Sequence, residues 1–224
     1  MNDRSSEIQR RYFDSKEHRF PVDQLLNLST AQKKELQDLE LVLNMPKTAK
    51  LLDFGAGNGR VSLYFLARGH DVTAVDISPS SLESLRRVYT KSQTKAWGSL
   101  KTVAEIPEDA TPDAIVGADV LHHVNMKDWI DIFYGHLREG GKIAFSEPNC
   151  LHLPWYAHYL LSGIPWRVEK GILQCRYGNF QTVLERSGFR EFAIRPHGLL
   201  PTPLSSARWN YQLGQAALLR RLAF

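Results

Sequence analysis

The amino-acid sequence predicts a single doubly wound α/β domain, in which helices cover both faces of one mostly parallel sheet. The length of 224 residues, 43% of them hydrophobic, allows one domain with a sizeable core. The apolar residues Ala49, Leu51 and Leu52 are typical of the start of a buried strand. After Gly55, Gly57 and Gly59 the pattern changes at once to an apolar helical stripe that begins at Val61. These observations indicate a strand, a tight turn and a helix, the first unit of such a sheet.

Strand and helix patterns alternate along the rest of the chain. Ser29 or Thr30 is expected to cap a helix that Pro46 ends, and Ser78 to cap another with proline in its first turn. The expected strands are 50–54, 71–75, a short one that includes Thr102, 114–118, 142–146 and 189–195, and the later helices are 129–137 and 177–187. This alternation is typical of a parallel sheet with crossover helices.

The glycine turn and an acidic residue after the second strand predict a binding site for an adenosine-type cofactor. The turn lets the backbone approach a ligand closely, and the helix that follows offers unpaired N–H groups. Asp76 lies about twenty positions further on, where a carboxylate binds both hydroxyls of a ribose. A dinucleotide fingerprint would need glycine at position 60, where this chain has Arg60.

The segment Leu-Leu-Asp-Phe-Gly-Ala-Gly-Asn-Gly at 51–59, with Asp76 downstream, resembles motifs I and II of the class I S-adenosylmethionine-dependent methyltransferases. Segments 113–124 and 137–145 resemble the fourth strand with its loop and the fifth strand in the small-molecule, type 11-like branch of that family. The resemblance covers roughly residues 50–145 and implies a Rossmann-like fold. It further implies S-adenosylmethionine as cofactor and methyl transfer to an oxygen or nitrogen of a small organic acceptor, with aromatic and lipid-like molecules among the candidates.

The resemblance also assigns residues to the cofactor. Asp53 is expected to order the loop around the methionine amino end, and Thr102 stands where the family has an acidic residue for the adenine amino group. The complete expected cofactor set is Asp53, Gly55, Ala56, Gly57, Gly59, Asp76, Ile77, Thr102 and Asp119.

The loops after the fourth and fifth strands supply the catalytic candidates. His123 is the candidate general base, because a histidine near its ordinary pKa can accept a proton from a hydroxyl nucleophile. Glu147 is the second candidate. An aromatic-rich insertion after the fifth strand, at 150–171, is expected to form a substrate flap. The expected substrate-binding residues are Tyr12, His122, Asn149, Trp155, Tyr156 and Tyr159.

The domain is expected to span 1–224 without internal division. Residues 1–46 form a helical N-terminal lid, 47–147 the cofactor-binding core, and 148–224 the flap and the C-terminal elements. No apolar strand is evident after Pro196, and 213–224 is predicted to be an amphipathic helix. That helix could pack on the sheet, pair with a second subunit or touch an anionic membrane, so that both a monomer and a homodimer stay open.

Composition and charge limit the binding partners and the cellular compartment that are expected. The net charge of +4 is spread along the chain without a basic run, so no nucleic-acid partner is expected. Cys150 and Cys175 have no paired or metal-ligand spacing, which favours reduced thiols and no metal. The N-terminus has no signal-peptide core, and no stretch has the length of a membrane span, so a cytoplasmic location is expected.

Two alternatives to a methyltransferase stay open at the level of sequence. A nicotinamide-dependent oxidoreductase would share the strand, the glycines and Asp76. It would, however, need glycine at position 60, where this chain has Arg60, and it does not match the fourth and fifth strands. A non-catalytic cofactor-binding protein that acts through interactions would share the whole pattern.

Overall fold

The computed structural model describes residues 7, 8, 10, 11, 27–151, 156, 160, 166–196 and 214–220. Its helices are α1 (Thr30–Leu43), α2 (Arg60–Leu66), α3 (Pro79–Ser92), α4 (Met126–His136), α5 (Trp166–Glu169) and α6 (Tyr177–Arg186). Its strands are β1 (Lys50–Phe54), β2 (Asp71–Val75), β3 (Leu100–Val103), β4 (Ala114–Ala118), β5 (Lys142–Pro148), β6 (Glu191–Pro196) and β7 (Gly214–Arg220). Three predicted substrate residues, Tyr12, Trp155 and Tyr159, lie outside the described residues, as does most of the predicted lid and flap.

The seven strands form one sheet in the order β3-β2-β1-β4-β5-β7-β6. The first five strands pair in parallel, and β7 pairs antiparallel with both β5 and β6. The chain moves outward from β1 to β3 and then returns to place β4 on the other side of β1. Ligands in doubly wound sheets bind at this reversal, beyond the carboxyl ends of the strands. The fold class predicted from the sequence is confirmed.

Neighbouring residues of β1 contribute to two separate cores. Leu51 belongs to a cluster with the apolar faces of α1, α2 and α3, whereas Leu52 and Phe54 belong to a cluster with α4 and α6. This alternation follows from the period of two along a strand, and it explains why β1 has apolar residues on both of its faces. Asp53 is the buried charged residue of β1, and it projects toward α2, where Ser62 contacts it.

Helix α1 begins at a cap that the sequence predicts and ends at a residue in the left-handed conformation. Ser29 accepts a hydrogen bond from the backbone N–H of Gln32, whose side chain accepts one from the Ser29 N–H, which together form a capping box. Asn44 ends the helix in the left-handed conformation. The helix lies against β5 and β7, so one of its faces reaches the strand ends where the site is formed.

The predicted C-terminal helix is wrong. Gly214–Arg220 is a strand, β7, which lies between β5 and β6 with Glu147 paired to Gln215 and Lys142 to Arg220. A continuous apolar run suits a strand with neighbours on both sides as well as a helix, and periodicity alone cannot separate the two. Pairing with β5 overrides the helix propensity of the Ala-Ala-Leu-Leu segment. The expectation that a helix at 214–220 contacts a membrane or a second subunit is therefore withdrawn.

Among the described residues, no helix is both long enough and apolar enough to cross a membrane.

Candidate functional site

The glycine turn after β1 is shaped by packing at two positions and is open at the third. Gly55, Gly57 and Gly59 have φ angles of +70°, +50° and +97°, which favour glycine. A Cβ atom on Gly55 would overlap Val120, and one on Gly59 would overlap Leu85. A Cβ atom on Gly57 would meet no described atom within 4 Å. Packing therefore requires the outer two glycines, while the middle one leaves space into which a ligand can fit.

Gly57→Ala is expected to affect mainly cofactor binding, and Gly59→Ala mainly stability. Gly57→Ala should lower the free energy of unfolding by only about 1 kcal/mol, the cost of its left-handed backbone. Its methyl group should nevertheless weaken cofactor binding by more than about tenfold, because it occupies space in which the ligand would approach the backbone of the turn. Gly59→Ala should cost roughly 3 kcal/mol of stability through overlap with Leu85. Urea denaturation measures the stability of each variant, and calorimetric titration measures its cofactor affinity. If the two variants lost stability and affinity to the same extent, the assignment of Gly57 to binding and Gly59 to packing would be contradicted.

Asp76 joins the end of β2 to the glycine turn. Its Oδ2 accepts a hydrogen bond of 2.7 Å from the backbone N–H of Gly57, and its Oδ1 accepts one of 2.8 Å from Ser78. A carboxylate accepts about four hydrogen bonds, so these two contacts can coexist with bonds from ribose hydroxyls. The next side chain, Ile77, is apolar and 44% exposed.

Asp53 is a buried carboxyl group beneath the glycine turn. Its Oδ2 accepts a hydrogen bond of 2.6 Å from the hydroxyl of Ser62, but its Oδ1 has no hydrogen-bond partner within the described part of the chain. Burial raises the pKa of Asp53 to about 7, against the lowering effect of Ser62 and with a smaller contribution from the charge of Asp76. An unsatisfied buried acceptor is costly, and at this position it suits a ligand that donates a hydrogen bond.

An ion-pair network that is buried at Glu35 and exposed at Asp119 lies beside the turn. Arg60, the first residue of α2, donates to Oε2 of Glu35 at 2.5 Å and to Oδ2 of Asp119 at 2.8 Å. The other oxygen of Glu35 accepts a hydrogen bond of 2.7 Å from Ser146. The network therefore joins α1, α2, β5 and the loop after β4, and Asp119 takes part with a left-handed φ of +56°.

The sequence does not reveal Arg60 and Glu35 as site residues, since they are distant along the chain and carry no motif. Burial raises the pKa of Glu35 to about 7, although the charge of Arg60 opposes that change. The only sequence signal is a charged residue on the apolar side of α1 next to Leu36.

The raised pKa of Asp53 predicts a decline of stability with pH. Folding raises this pKa from its ordinary value of 3.8 to about 7, so the folded state binds more protons than the unfolded state between those values. The free energy of unfolding should therefore fall as pH rises from 4 to 7, by on the order of 4 kcal/mol from this group, and then level off. Glu35 adds a decline of the same sign. Asp53→Asn should flatten part of the decline in urea denaturation across this range; a curve parallel to that of the unchanged protein would contradict the assignment.

Glu147, at the end of β5, anchors the turn that follows β4. Its Oε1 accepts hydrogen bonds from the backbone N–H groups of Val120 and Leu121 at 2.9 and 2.7 Å, and its Oε2 lies 2.7 Å from Nδ1 of His122. The side chain is almost completely buried. With both oxygens engaged in this way, the geometry favours a positioning role for Glu147 over its predicted role as a base.

The two histidines of the 3-10 turn Leu121–His123 differ in charge. His122 lies between Glu147 and Glu169, with Nε2 at 3.4 Å from the Glu169 carboxylate. Burial alone would lower the pKa of His122, but the hydrogen bonds to these two carboxylates outweigh it and raise the pKa to about 10. Burial, and then the charge of His122, lower the pKa of His123 well below 6.5. His122 is therefore protonated near pH 7, whereas His123 is neutral. The lowered pKa makes His123 a weaker base than the ordinary histidine expected from the sequence.

The other predicted site residues that the structure describes make contacts within the protein. Ala56 is buried, and its N–H donates to Val75. The Thr102 hydroxyl accepts a 2.5 Å hydrogen bond from Arg86, so it stands at the predicted strand position but already has a partner. Asn149 accepts from the N–H of Leu151, and the Tyr156 hydroxyl donates to the carbonyl of Cys150. These contacts give Asn149 and Tyr156 local structural roles at the start of the flap.

Comparison with known proteins agrees with this geometry. A family model described as a methyltransferase domain matches residues 52–143. A ubiquinone biosynthesis O-methyltransferase of Rickettsia felis is 26% identical over 122 residues, 52% of this chain and 50% of that protein. An uncharacterised methyltransferase of Mycobacterium tuberculosis is 38% identical over 102 residues, 45% of this chain and 40% of that protein. The chain thus spans about half the length of these curated relatives.

Solved structures match over a longer part of the chain. Magnesium protoporphyrin IX methyltransferase from Synechocystis, with bound S-adenosylhomocysteine, has a TM-score of 0.65 at 17% identity and covers 97% of this chain and 99% of its own. The N-methyltransferase NodS from Bradyrhizobium japonicum has a TM-score of 0.63 at 16% identity, with 98% and 99% covered. At these identities the likeness establishes the fold.

The family match begins inside β1 and ends inside β5, so it covers the glycine turn, Asp76 and the loop after β4. Over this stretch the chain is similar to a methyltransferase domain, and its fold is that of a methyltransferase solved with bound S-adenosylhomocysteine.

Proposed function

We propose that the protein transfers the sulfonium methyl group of S-adenosylmethionine to an oxygen or nitrogen of a small organic acceptor. The observation that carries the proposal is that three groups lie together at the carboxyl ends of β1 and β2. They are Gly57, which has space beside it, the carboxylate of Asp76, and the Asp53 oxygen that has no hydrogen-bond partner among the described residues. The cofactor supplies a methyl carbon that its positive sulfur has already activated. The protein has mainly to align the acceptor atom with that carbon, a positioning effect worth several kcal/mol.

The charges at the edge of the glycine turn suit the amino-acid end of this cofactor. The guanidinium of Arg60 and the carboxylate of Asp119 form an ion pair of 2.8 Å, and the Asp119 side chain is 55% exposed. A methionyl group carries the complementary carboxylate and ammonium. We infer that the ion pair opens to bind both charges, with Glu35 remaining as the second partner of Arg60. Asp53 would then accept a hydrogen bond at the same end.

His123 is the group that we assign to the acceptor. It is half-buried, neutral near pH 7, and its Nδ1 lies 3.2 Å from the carbonyl of Val168. A neutral imidazole that donates from Nδ1 carries its lone pair on Nε2, which can accept the proton of a hydroxyl nucleophile. Glu147 holds the turn on which His123 lies, and so positions the base.

We further propose that the methyl acceptor has a ring or an extended apolar part. Exposed apolar side chains surround the start and end of the flap, with Leu151, Leu160 and Trp166 exposed by 66%, 77% and 42%. The Rickettsia felis relative, named for ubiquinone biosynthesis, is an O-methyltransferase. Both observations favour hydroxyl groups on apolar molecules.

A methyl-transfer screen tests the proposal. The protein is incubated with S-adenosylmethionine and panels of phenols, catechols, carboxylic acids and amines, and formation of S-adenosylhomocysteine is followed with a coupled assay. We expect turnover with a hydroxyl-bearing ring compound, and its loss in Gly57→Ala. Cofactor binding without turnover of any class would favour the non-catalytic alternative.

A further inference from the structure

A second group of side chains converges next to the acceptor side of the site. One ring nitrogen of His122, one of His123 and a carboxylate oxygen of Glu169 all lie within 4.8 Å of one another. The histidines come from the turn after β4, and Glu169 comes from the end of α5, in the last part of the predicted flap. We propose that His122, His123 and Glu169 bind a first-row divalent metal ion of the zinc, cobalt or manganese class.

The distances suit coordination. Zinc binds imidazole nitrogen at about 2.0–2.1 Å and carboxylate oxygen at about 2.0–2.2 Å, so two ligand atoms of a tetrahedral site lie about 3.4 Å apart. Nε2 of His122 and Oε2 of Glu169 are separated by 3.4 Å. That separation is long for an N–H···O hydrogen bond, whose usual length is about 2.9–3.0 Å. The pair is therefore already spaced as one edge of a coordination tetrahedron.

Both histidines have the hydrogen-bond partners that metal-binding histidines usually have. Nδ1 of His122 lies 2.7 Å from the carboxylate of Glu147, and Nδ1 of His123 lies 3.2 Å from the carbonyl of Val168. Imidazole ligands commonly donate their second N–H to a carboxylate or a backbone carbonyl, which fixes the ring and its tautomer. Two histidines and one carboxylate leave further positions open, as sites for substrate-binding ions do.

The two chain segments that carry the ligands are held together by their backbones. A side chain on Gly171 would overlap the carbonyl oxygen of His122, so only glycine allows this close approach. Gln174 donates a hydrogen bond of 2.8 Å to the carbonyl of Val124. Glu169 precedes both residues and is thereby fixed against the histidines. Its side chain is 12% exposed, against 4% for His122, so an ion can reach the cluster and is still largely shielded from water.

The ion would act on the acceptor, and this role alone rests on the proposed function. A hydroxyl group bound to a divalent ion loses its proton more readily than a free one. The ion must displace the Nε2 proton of His122, because a ligating imidazole is neutral, and it competes with a proton for the lone pair of His123. In the metal-loaded protein the ion would thus activate the hydroxyl, whereas in the metal-free protein His123 would accept the proton. The acceptor class favoured by this arrangement is a phenol or a catechol.

Cobalt titration of the full chain tests metal binding without cofactor or acceptor. The protein is freed of affinity tags, treated with a chelator, and titrated with Co²⁺ while the visible absorption of the ion is recorded. We expect one equivalent to bind with the bands of a coordinated ion, and Zn²⁺ to displace it. His123→Asn and Glu169→Gln should each weaken binding by at least about tenfold. The matched control is His136→Asn, since His136 on α4 also faces a backbone carbonyl, that of Ala110, and should leave binding unchanged.

Thermal unfolding establishes that each variant is folded, and Glu169→Asp replaces Glu169→Gln if the latter does not fold. Absence of a one-equivalent cobalt spectrum, or equal binding in all variants, would overturn the proposal and leave a protonated His122 shared by Glu147 and Glu169. A failure of the proposed function would look different, because the metal would bind while no acceptor was methylated.

Discussion

Asp76→Ala is expected to weaken the binding of S-adenosylhomocysteine by about 100-fold, the loss of two hydrogen bonds to a charged group at about 1.5 kcal/mol each. The carboxylate would bind the ribose hydroxyls, and in the structure it also accepts the N–H groups of Gly57 and Ser78. Its loss should therefore remove ribose contacts and loosen the glycine turn. Calorimetric titration of both proteins measures the difference.

The matched control is Asp71→Ala at the opposite end of the same strand. Asp71 accepts hydrogen bonds from Ser99, far from the glycine turn. Its substitution should leave the affinity for S-adenosylhomocysteine unchanged. Equal weakening by the two substitutions would mean that Asp76 acts through general stability, and unchanged affinity in Asp76→Ala would remove it from the cofactor site.

Arg60→Met should lower the free energy of unfolding by about 3 kcal/mol, because it leaves the buried carboxyl group of Glu35 without its cation. The pKa of Glu35 is already raised to about 7, so the carboxyl group can escape this cost by protonation at low pH. The destabilisation should accordingly be larger at pH 8 than at pH 6. The double variant Glu35→Gln with Arg60→Met should recover part of the loss, since no buried charge remains.

The same substitution tests the role of Arg60 at the methionyl end. Arg60→Met should weaken binding of S-adenosylhomocysteine but not of 5′-methylthioadenosine, which lacks the amino-acid group. Arg87→Met is the control, because Arg87 is exposed on α3 and makes a long ion-pair contact of 3.9 Å with Glu83. Equal losses for both ligands would assign Arg60 to stability alone.

The local parts of the fold could be predicted from the sequence. The glycine turn, the Ser29 cap and the acidic residue after β2 each depend on residues close together in the chain, and each is found where the sequence places it. Their physical causes are also local: a positive φ, a capping hydrogen bond and the end of a strand.

The rest depends on contacts between distant segments. Two pairs, Arg60 with Glu35 and His122 with Glu169, are far apart in the sequence. They meet only once the folded sheet has brought together α1 and α2 for the first pair, and the turn after β4 and α5 for the second. The last strand is another case, since a helix-forming sequence becomes β7 because β5 and β6 offer it hydrogen-bond partners on both sides. No spacing rule along the chain reveals such contacts.

The most direct test of cofactor use is calorimetric titration of the unchanged protein with S-adenosylhomocysteine and, separately, with NAD. We expect one molecule of S-adenosylhomocysteine to bind per chain and NAD not to bind, because Arg60 occupies the position that a dinucleotide turn needs for its third glycine. Binding of NAD, with no binding of S-adenosylhomocysteine, would contradict the proposed methyl transfer.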